Sequence, residues 1–228
     1  LKNNKNLPLK ICGNKNLKPI YYNEKKGSAQ CKSAVILAGM RTEGITIIKA
    51  KKSRNHTELL SKYLKLPIKI KFKKNYDLIK VKKVNKIKKI NYKIPSDISS
   101  GAFFMVLTAL TKDAKLTIKN VNINSSRTGI ITILKKMGIK ILIKNRKNYK
   151  GEKVADIKVK STNNLKGINC PPELNSSAID EFLIIFLIAA KAKGVSYFSN
   201  LSELNQKESP RLKWGETILN KMGIKTKS

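Results

Sequence analysis

The feature that most limits how this chain can fold is that it repeats itself. Lys136-Met137-Gly138-Ile139-Lys140 returns unchanged at Lys221-Met222-Gly223-Ile224-Lys225. Each copy closes an amphipathic run, Ile130 to Gly138 and Thr217 to Gly223, on a Gly suited to end a helix in the left-handed region. Each is followed by a β-branched strand pattern, Ile139 to Ile143 and Ile224 to Thr226, and Leu59 to Leu64 before Pro67-Ile68-Lys69-Ile70 is a third instance. A second pattern alternates with this one: a small or acidic polar start, an apolar helix, and a turn into a strand. It spans Ser28 to Ile48, Asp97 to Val121, and Ile179 to Phe198, where Val195 to Phe198 is the strand. The repeat is roughly 70 to 85 residues long, whereas solenoid repeats run about 20–50. Each copy therefore reads as a small α/β layer of helix–strand–helix–strand, with extra strands at Asp77 to Val81 and Ala155 to Val159. Such layers bury their helices only by packing several together, and the apolar runs Ala34 to Gly39 and Phe182 to Ala190 are expected to be buried helices.

The net charge of +35 over 228 residues would ordinarily point to nucleic acid. Its distribution argues otherwise. Only five of the 49 basic residues are Arg (Arg41, Arg54, Arg127, Arg146, Arg211), and the Lys are scattered along the whole length among Ile and Asn. This is a bias of the entire chain rather than a binding face, and no zinc-finger spacing or aromatic stacking run accompanies it. The charged stretch from Lys82 to Lys93 fits either a solvated strand and loop or a connection between domains. Cys12, Cys31 and Cys170 are odd in number and far apart, which implies a reduced, cytoplasmic protein without structural metal. No apolar run is long enough for a membrane span, and the polar opening from Leu1 has no signal-peptide core. A start without Met suggests a fragment.

One segment carries chemistry. In Lys207-Glu208-Ser209-Pro210-Arg211, Ser209 reads as a helix N-cap and Pro210 as the first helical residue. Lys207, Arg211 and the free N–H groups of the helix start would then face one point suited to phosphate or carboxylate. Asp180, upstream, fits either a reactive carboxylate or a cap for the apolar helix that follows.

Ser28-Ala29-Gln30-Cys31-Lys32-Ser33, Ser53-Arg54-Asn55-His56-Thr57-Glu58, Asp97-Ile98-Ser99-Ser100, Arg127-Thr128-Gly129 and Lys207-Glu208-Ser209-Pro210-Arg211 follow one another in the order seen in the enolpyruvyl transferases. The chain resembles that family, and within it the 5-enolpyruvylshikimate-3-phosphate synthases. The motifs span about four fifths of its length. The resemblance implies an α/β (α+β) fold of repeated βαββαβ units with helices inside and sheets outside. Residues 1–95 would close a first domain and residues 96–228 open a second. One departure is visible, since Pro210 stands where the family usually has Asp.

The family's reaction, so implied, joins phosphoenolpyruvate to the 5-hydroxyl of shikimate 3-phosphate and releases phosphate, without metal or organic cofactor. Both substrates are polyanions, so the cleft needs cations and one carboxylate able to accept and return a proton. Carried over, Ser28, Ala29 and Gln30 would line the shikimate 3-phosphate site, with Arg54 reaching its phosphate. Asp180 would be the base, Lys207 would bridge both substrates, Glu208 would serve proton transfer at the enol carbon, and Arg211 would clamp phosphoenolpyruvate. His56, Asp97, Ser99 and Arg127 read as structural, Asp97 and Ser99 as caps. A monomer without specific nucleic-acid or membrane partners is expected, inactive as a fragment. The rival readings are the sister enzyme acting on UDP-N-acetylglucosamine, whose signature lacks these motifs, and a basic nucleic-acid-binding module.

Overall fold

The computed structural model describes residues 10–227. These form two compact units, and the chain passes between them more than once: residues 10–52 and 64–88 make the first, residues 53–63 and 89–227 the second.

The first unit is a four-stranded sheet with one helix. Its strands β1 (Tyr21–Glu24), β2 (Ile45–Lys51), β3 (Ile68–Phe72) and β4 (Tyr76–Lys82) lie in the order β1-β2-β4-β3. β1 runs parallel to β2 through helix α1 (Ala29–Gly39), as a crossover helix allows, and the other pairs are antiparallel. Alternation fixes which face is inside: Thr46, Ile48 and Ala50 of β2 and Asp77, Ile79 and Val81 of β4 are buried. α1 differs from the sequence expectation of a buried helix. It buries only Lys32, Ile36 and Gly39, while Leu37 is exposed, because a single sheet covers only one side of a helix.

The second unit begins with helix α2 (His56–Tyr63) and continues through α3 (Ile98–Leu110), β5 (Lys115–Asn122), α4 (Gly129–Lys136), β6 (Lys140–Tyr149), β7 (Glu152–Lys160), α5 (Phe182–Ala190) and α6 (Arg211–Lys221). Its three strands pair antiparallel in the order β5-β7-β6. On α3, Ile98, Ala102, Met105 and Ala109 recur at helical spacing and are buried with Ile130, Leu134, Ile157 and Phe182. Phe103, Phe104 and Leu107, on its other face, are exposed. Asp97 caps α3 by accepting from the Ser100 amide at 2.9 Å.

One residue shapes the whole sheet. Both outer strands break register opposite the middle of β7, between Ile118 and Val121 on β5 and between Lys144 and Lys147 on β6. Asp156 of β7 accepts from the Asn120 amide at 2.9 Å and from Asn145 Nδ2 at 2.7 Å, and both Asn residues take the left-handed conformation a bulge needs.

Two expected strands do not form. Val195 to Phe198 touches its neighbour only through one isolated parallel bridge, Asn169 with Tyr197, a second bridge, Lys166 with Lys193, lying just before it, and Ile224 to Thr226 is not in a strand. A strand needs a run of paired N–H and C=O groups. At Val195 to Phe198 the pairing is confined to Tyr197, whose amide donates to the Ile168 carbonyl and whose carbonyl accepts from the Cys170 amide. For Ile224 to Thr226 the described residues provide no strand partner. Among the described residues no helix is long and apolar enough to cross a membrane.

Candidate active site

Two carboxylates side by side organise the second unit. They occupy the turn into α5, which starts at Phe182 with Glu181 at the cap position and no side-chain capping bond. Asp180 is therefore not the cap of this helix. Its carboxylate, about one quarter exposed (26%), receives Arg54 Nη1 on Oδ2 at 2.7 Å and Arg211 Nη1 on Oδ1 at 3.3 Å. Two guanidinium groups thus hold one carboxylate from opposite directions in sequence, with one oxygen each.

Glu181 has different neighbours. It is 4% exposed and accepts a hydrogen bond from the Ser99 hydroxyl, which in turn accepts from Arg127 Nη2. Arg127 also pairs with Asp97 at 2.8 Å, so the chain Glu181–Ser99–Arg127–Asp97 ties the start of α3 to the turn before α5. Burial, helped by the charges of Asp180 and Asp97, pushes the Glu181 carboxyl above its ordinary pKa, although the Ser99 hydrogen bond and Arg127 oppose it. At Asp97 burial also raises the pKa, but hydrogen bonds from Ser100 and the Arg127 charge win and bring it below the usual range. Ser99 is thus a link between Glu181 and Arg127 rather than a cap.

At the other end of the motif, α6 starts one residue later than the sequence suggests. Pro210 occupies the cap position and Arg211 the first helical turn, with no side-chain capping bond, so Ser209 does not cap. Proline can stand there because the first N–H groups of a helix have no intrahelical partner. Arg211 Nη2 holds Glu208 at 2.8 Å, and Glu208 is largely exposed. Its own backbone N–H and the Arg211 fork lower its pKa. Lys207 pairs with Glu203 at 3.4 Å. The second unit therefore brings together Arg54, Asp180, Glu208 and Arg211 from three separate stretches of sequence, with Lys207 in the same segment as the last two.

Ser28, Ala29 and Gln30 belong to the first unit. Ser28 caps α1, its Oγ accepting from the Cys31 amide at 3.2 Å, and Gln30 is exposed in the first turn. Sequence reasoning treated Glu181, Ser99 and Arg127 as scaffold or passed over them. The available signal was that Ser99 and Arg127 lie inside two of the ordered motifs and Glu181 is adjacent to Asp180. Arg usage was a further signal. In a chain whose cations are almost all Lys, three of the five Arg (Arg54, Arg127 and Arg211) sit on carboxylates of this cluster, and Arg127 and Arg211 each reach two acceptors with their planar guanidinium.

The model of the family described as EPSP synthase (3-phosphoshikimate 1-carboxyvinyltransferase) matches residues 1–228. The chain belongs to the EPSP synthase family. Among curated relatives, the 3-phosphoshikimate 1-carboxyvinyltransferase of Ruthia magnifica subsp. Calyptogena magnifica is 42% identical over 98% of this chain and 50% of its own length. That of Hydrogenovibrio crunogenus is 41% identical over 95% of this chain and 49% of its own. An EPSP synthase structure from Acinetobacter baumannii superimposes with a TM-score of 0.79 at 38% identity, covering 90% of this chain and 45% of that one. The enolpyruvyl transferase NikO from Streptomyces tendae, at 13% identity and a TM-score of 0.58 over 79% of this chain and 44% of that one, shares the fold. The chain thus spans about half the length of the EPSP synthases it matches.

Proposed function

We propose that this chain is part of an enzyme that transfers the enolpyruvyl group of phosphoenolpyruvate to the 5-hydroxyl of shikimate 3-phosphate. The observation that carries the proposal is the Asp180 carboxylate held between Arg54 and Arg211, each from one of the family's motifs. Asp180 takes the proton of the 5-hydroxyl as that oxygen attacks C2 of the enol, and returns a proton when phosphate leaves the tetrahedral adduct. Arg211, whose fork suits a planar carboxylate or a phosphate, grips phosphoenolpyruvate, and Lys207 bridges the two anions. Glu208 serves proton transfer at C3. By their motifs, Ser28, Ala29 and Gln30 are assigned to binding shikimate 3-phosphate, and Arg54 to its phosphate. No metal or cofactor enters this scheme.

The same reading assigns residues 1–95 to the closing part of one domain and 96–228 to the opening part of the next. It describes a monomeric, cytoplasmic enzyme that recognises neither nucleic acid nor membrane. The excess Lys then gives only salt-sensitive, sequence-independent attraction to polyanions.

Phosphate release by a chain of full family length containing this segment tests the proposal. Turnover is expected only with both shikimate 3-phosphate and phosphoenolpyruvate present, and Asp180→Asn should lower kcat by on the order of 10²-fold or more with a much smaller change in KM. Turnover with UDP-N-acetylglucosamine in place of shikimate 3-phosphate would overturn the reading.

A further inference from the structure

Arg54 reaches Asp180 from a short segment ahead of α2, and the residues that follow it form an unusual anchor. His56 Nδ1 meets Glu152 Oε1 at 2.5 Å, and the Glu152 side chain is only 5% exposed. Its neighbour Asn55 accepts through Oδ1 from Asn124 Nδ2 at 2.8 Å, and the same amide group lies 3.3 Å from Glu152 Oε2. Asn124 is itself buried, and its Oδ1 accepts from the amide and hydroxyl of Ser126. Two consecutive side chains are thus fastened to one buried carboxylate and one buried amide on the far side of the unit's sequence. His56 Nε2 is buried and has no hydrogen-bond partner among the described residues, so the ring's polar contact there is the one with Glu152.

The backbone supports this anchor. Gly151, at the turn between β6 and β7, has φ +91°, and a Cβ there would lie 2.9 Å from the Leu59 carbonyl oxygen and 3.2 Å from Tyr63 Cβ. Only glycine lets α2 lie this close to the hairpin. Glu152 stays ionised against its surroundings: burial raises its pKa, but the hydrogen bond and charge of His56, with hydrogen bonds from Asn122 and Asn124, bring it below the ordinary value. A buried ionised carboxylate is costly unless paired and hydrogen-bonded, so apolar contacts would hold a helix here more cheaply. What a hydrogen-bonded pair adds is a fixed register of the backbone.

That register matters for the residue just before it. An Arg side chain carries about 2 kcal/mol of rotamer entropy, so its fork stays on one carboxylate only if its Cα is held in place. We propose that His56, through Glu152, and Asn55, through Asn124, are positioning residues that fix the backbone at 54–56 and thereby keep the Arg54 fork on Asp180. Their consequence for turnover rests on the function proposed above. The positioning itself does not.

Arginine side-chain NMR can test this on the chain itself, because five Arg give at most five Nε–Hε signals and Arg54→Lys identifies one of them. In the unaltered protein the backbone amides at 54–56 should have order parameters near ~0.85, and His56→Ala should bring them below ~0.6. In the same variant the Arg54 Nε signal should take on the mobility of exposed Arg41, while Arg211 keeps its rigidity. His56→Asn places an amide nitrogen near the position of Nδ1 and should restore Arg54. If His56→Ala does not fold, Asn55→Ala carries the same expectation with a smaller perturbation. An Arg54 as rigid in His56→Ala as in the parent, or equal loosening of Arg54 and Arg211, overturns the proposal. In an active, full-length chain, His56→Ala should lower kcat about 10-fold or more with less than about 3-fold change in either KM. Loss of Arg54 order in a full-length chain that never turns over would support the positioning and count against the enzymatic reading.

Discussion

Lys136 to Lys140 and Lys221 to Lys225 are the same five residues in two settings. In both, a helix ends at the first Lys and Gly takes a left-handed conformation, with φ +97° at Gly138 and +81° at Gly223. In both, the Ile amide turns back to a helix carbonyl five residues earlier, Ile139 to Leu134 at 3.1 Å and Ile224 to Leu219 at 2.9 Å. There the likeness stops. Met137 is fully buried and Met222 is 64% exposed; the first copy runs into β6 against β7, the second into irregular chain. Local sequence decides how this helix ends, and the neighbour decides whether a strand follows.

Substitutions in matched pairs can break or sharpen that contrast, with stability of the second unit read by urea denaturation. Met137→Ala should cost about 2–5 kcal/mol, and Met222→Ala no more than about 0.5 kcal/mol. Similar losses at the two sites would mean that Met222 is covered in solution. Next come the glycines. A Cβ at Gly138 would lie 2.5 Å from the Asn164 carbonyl oxygen, whereas none of the described residues stands within 4 Å at Gly223. Gly223→Ala should therefore cost about 1 kcal/mol of backbone strain, and Gly138→Ala clearly more, since the loop holding Asn164 must shift as well.

The smallest expected effect concerns acid. Backbone and side-chain hydrogen bonds from Asn120 and Asn145 bring Asp156, in the strand that β6 joins after the first Lys-Met-Gly-Ile-Lys, from 3.8 to about 2. A carboxyl whose pKa is depressed by folding stabilises the fold above its unfolded value and loses that contribution as pH falls through the folded one. Stability should thus fall between about pH 4 and pH 2, and Asp156→Asn should flatten the decline in that window. An acid profile unchanged by Asp156→Asn would show that the bulges do not depend on the charge.

The pair of repeats also marks where sequence reading ends. Helix positions were legible because apolar spacing and a terminal Gly are local signals, and α4 and α6 both appear where their patterns lie. The strands expected at Val195 to Phe198 and Ile224 to Thr226 carried β-branched and aromatic residues suited to a strand, but pairing is not written in the strand itself. The site divides in the same way. Lys207, Glu208 and Arg211 lie within one pentapeptide, whereas Arg54 meets Asp180 across 126 residues. Ser209 looked like the better cap by residue type, yet the helix begins after Pro210 and Arg211 turns to Asp180 and Glu208. Glu181 carried no local sign of its burial, which depends on Ser99 and Arg127 arriving from α3 and the turn before α4.

The docking of residues 53–63 has a consequence in time. Asn124 follows Asn55 by 69 residues and Glu152 follows His56 by 96, while the strands flanking the segment belong to the first unit. At roughly 5–20 residues per second of synthesis, His56 waits about 5–20 s on the ribosome for its partner. During that interval β2 and β4 can pair around a segment with nothing yet to fasten to, and Arg54 has no Asp180. This long-range clasp therefore cannot close before β7 has been made, nor Arg54 meet Asp180 before the turn into α5 has been made, so the earliest moment of each contact is set by the chain's order of synthesis.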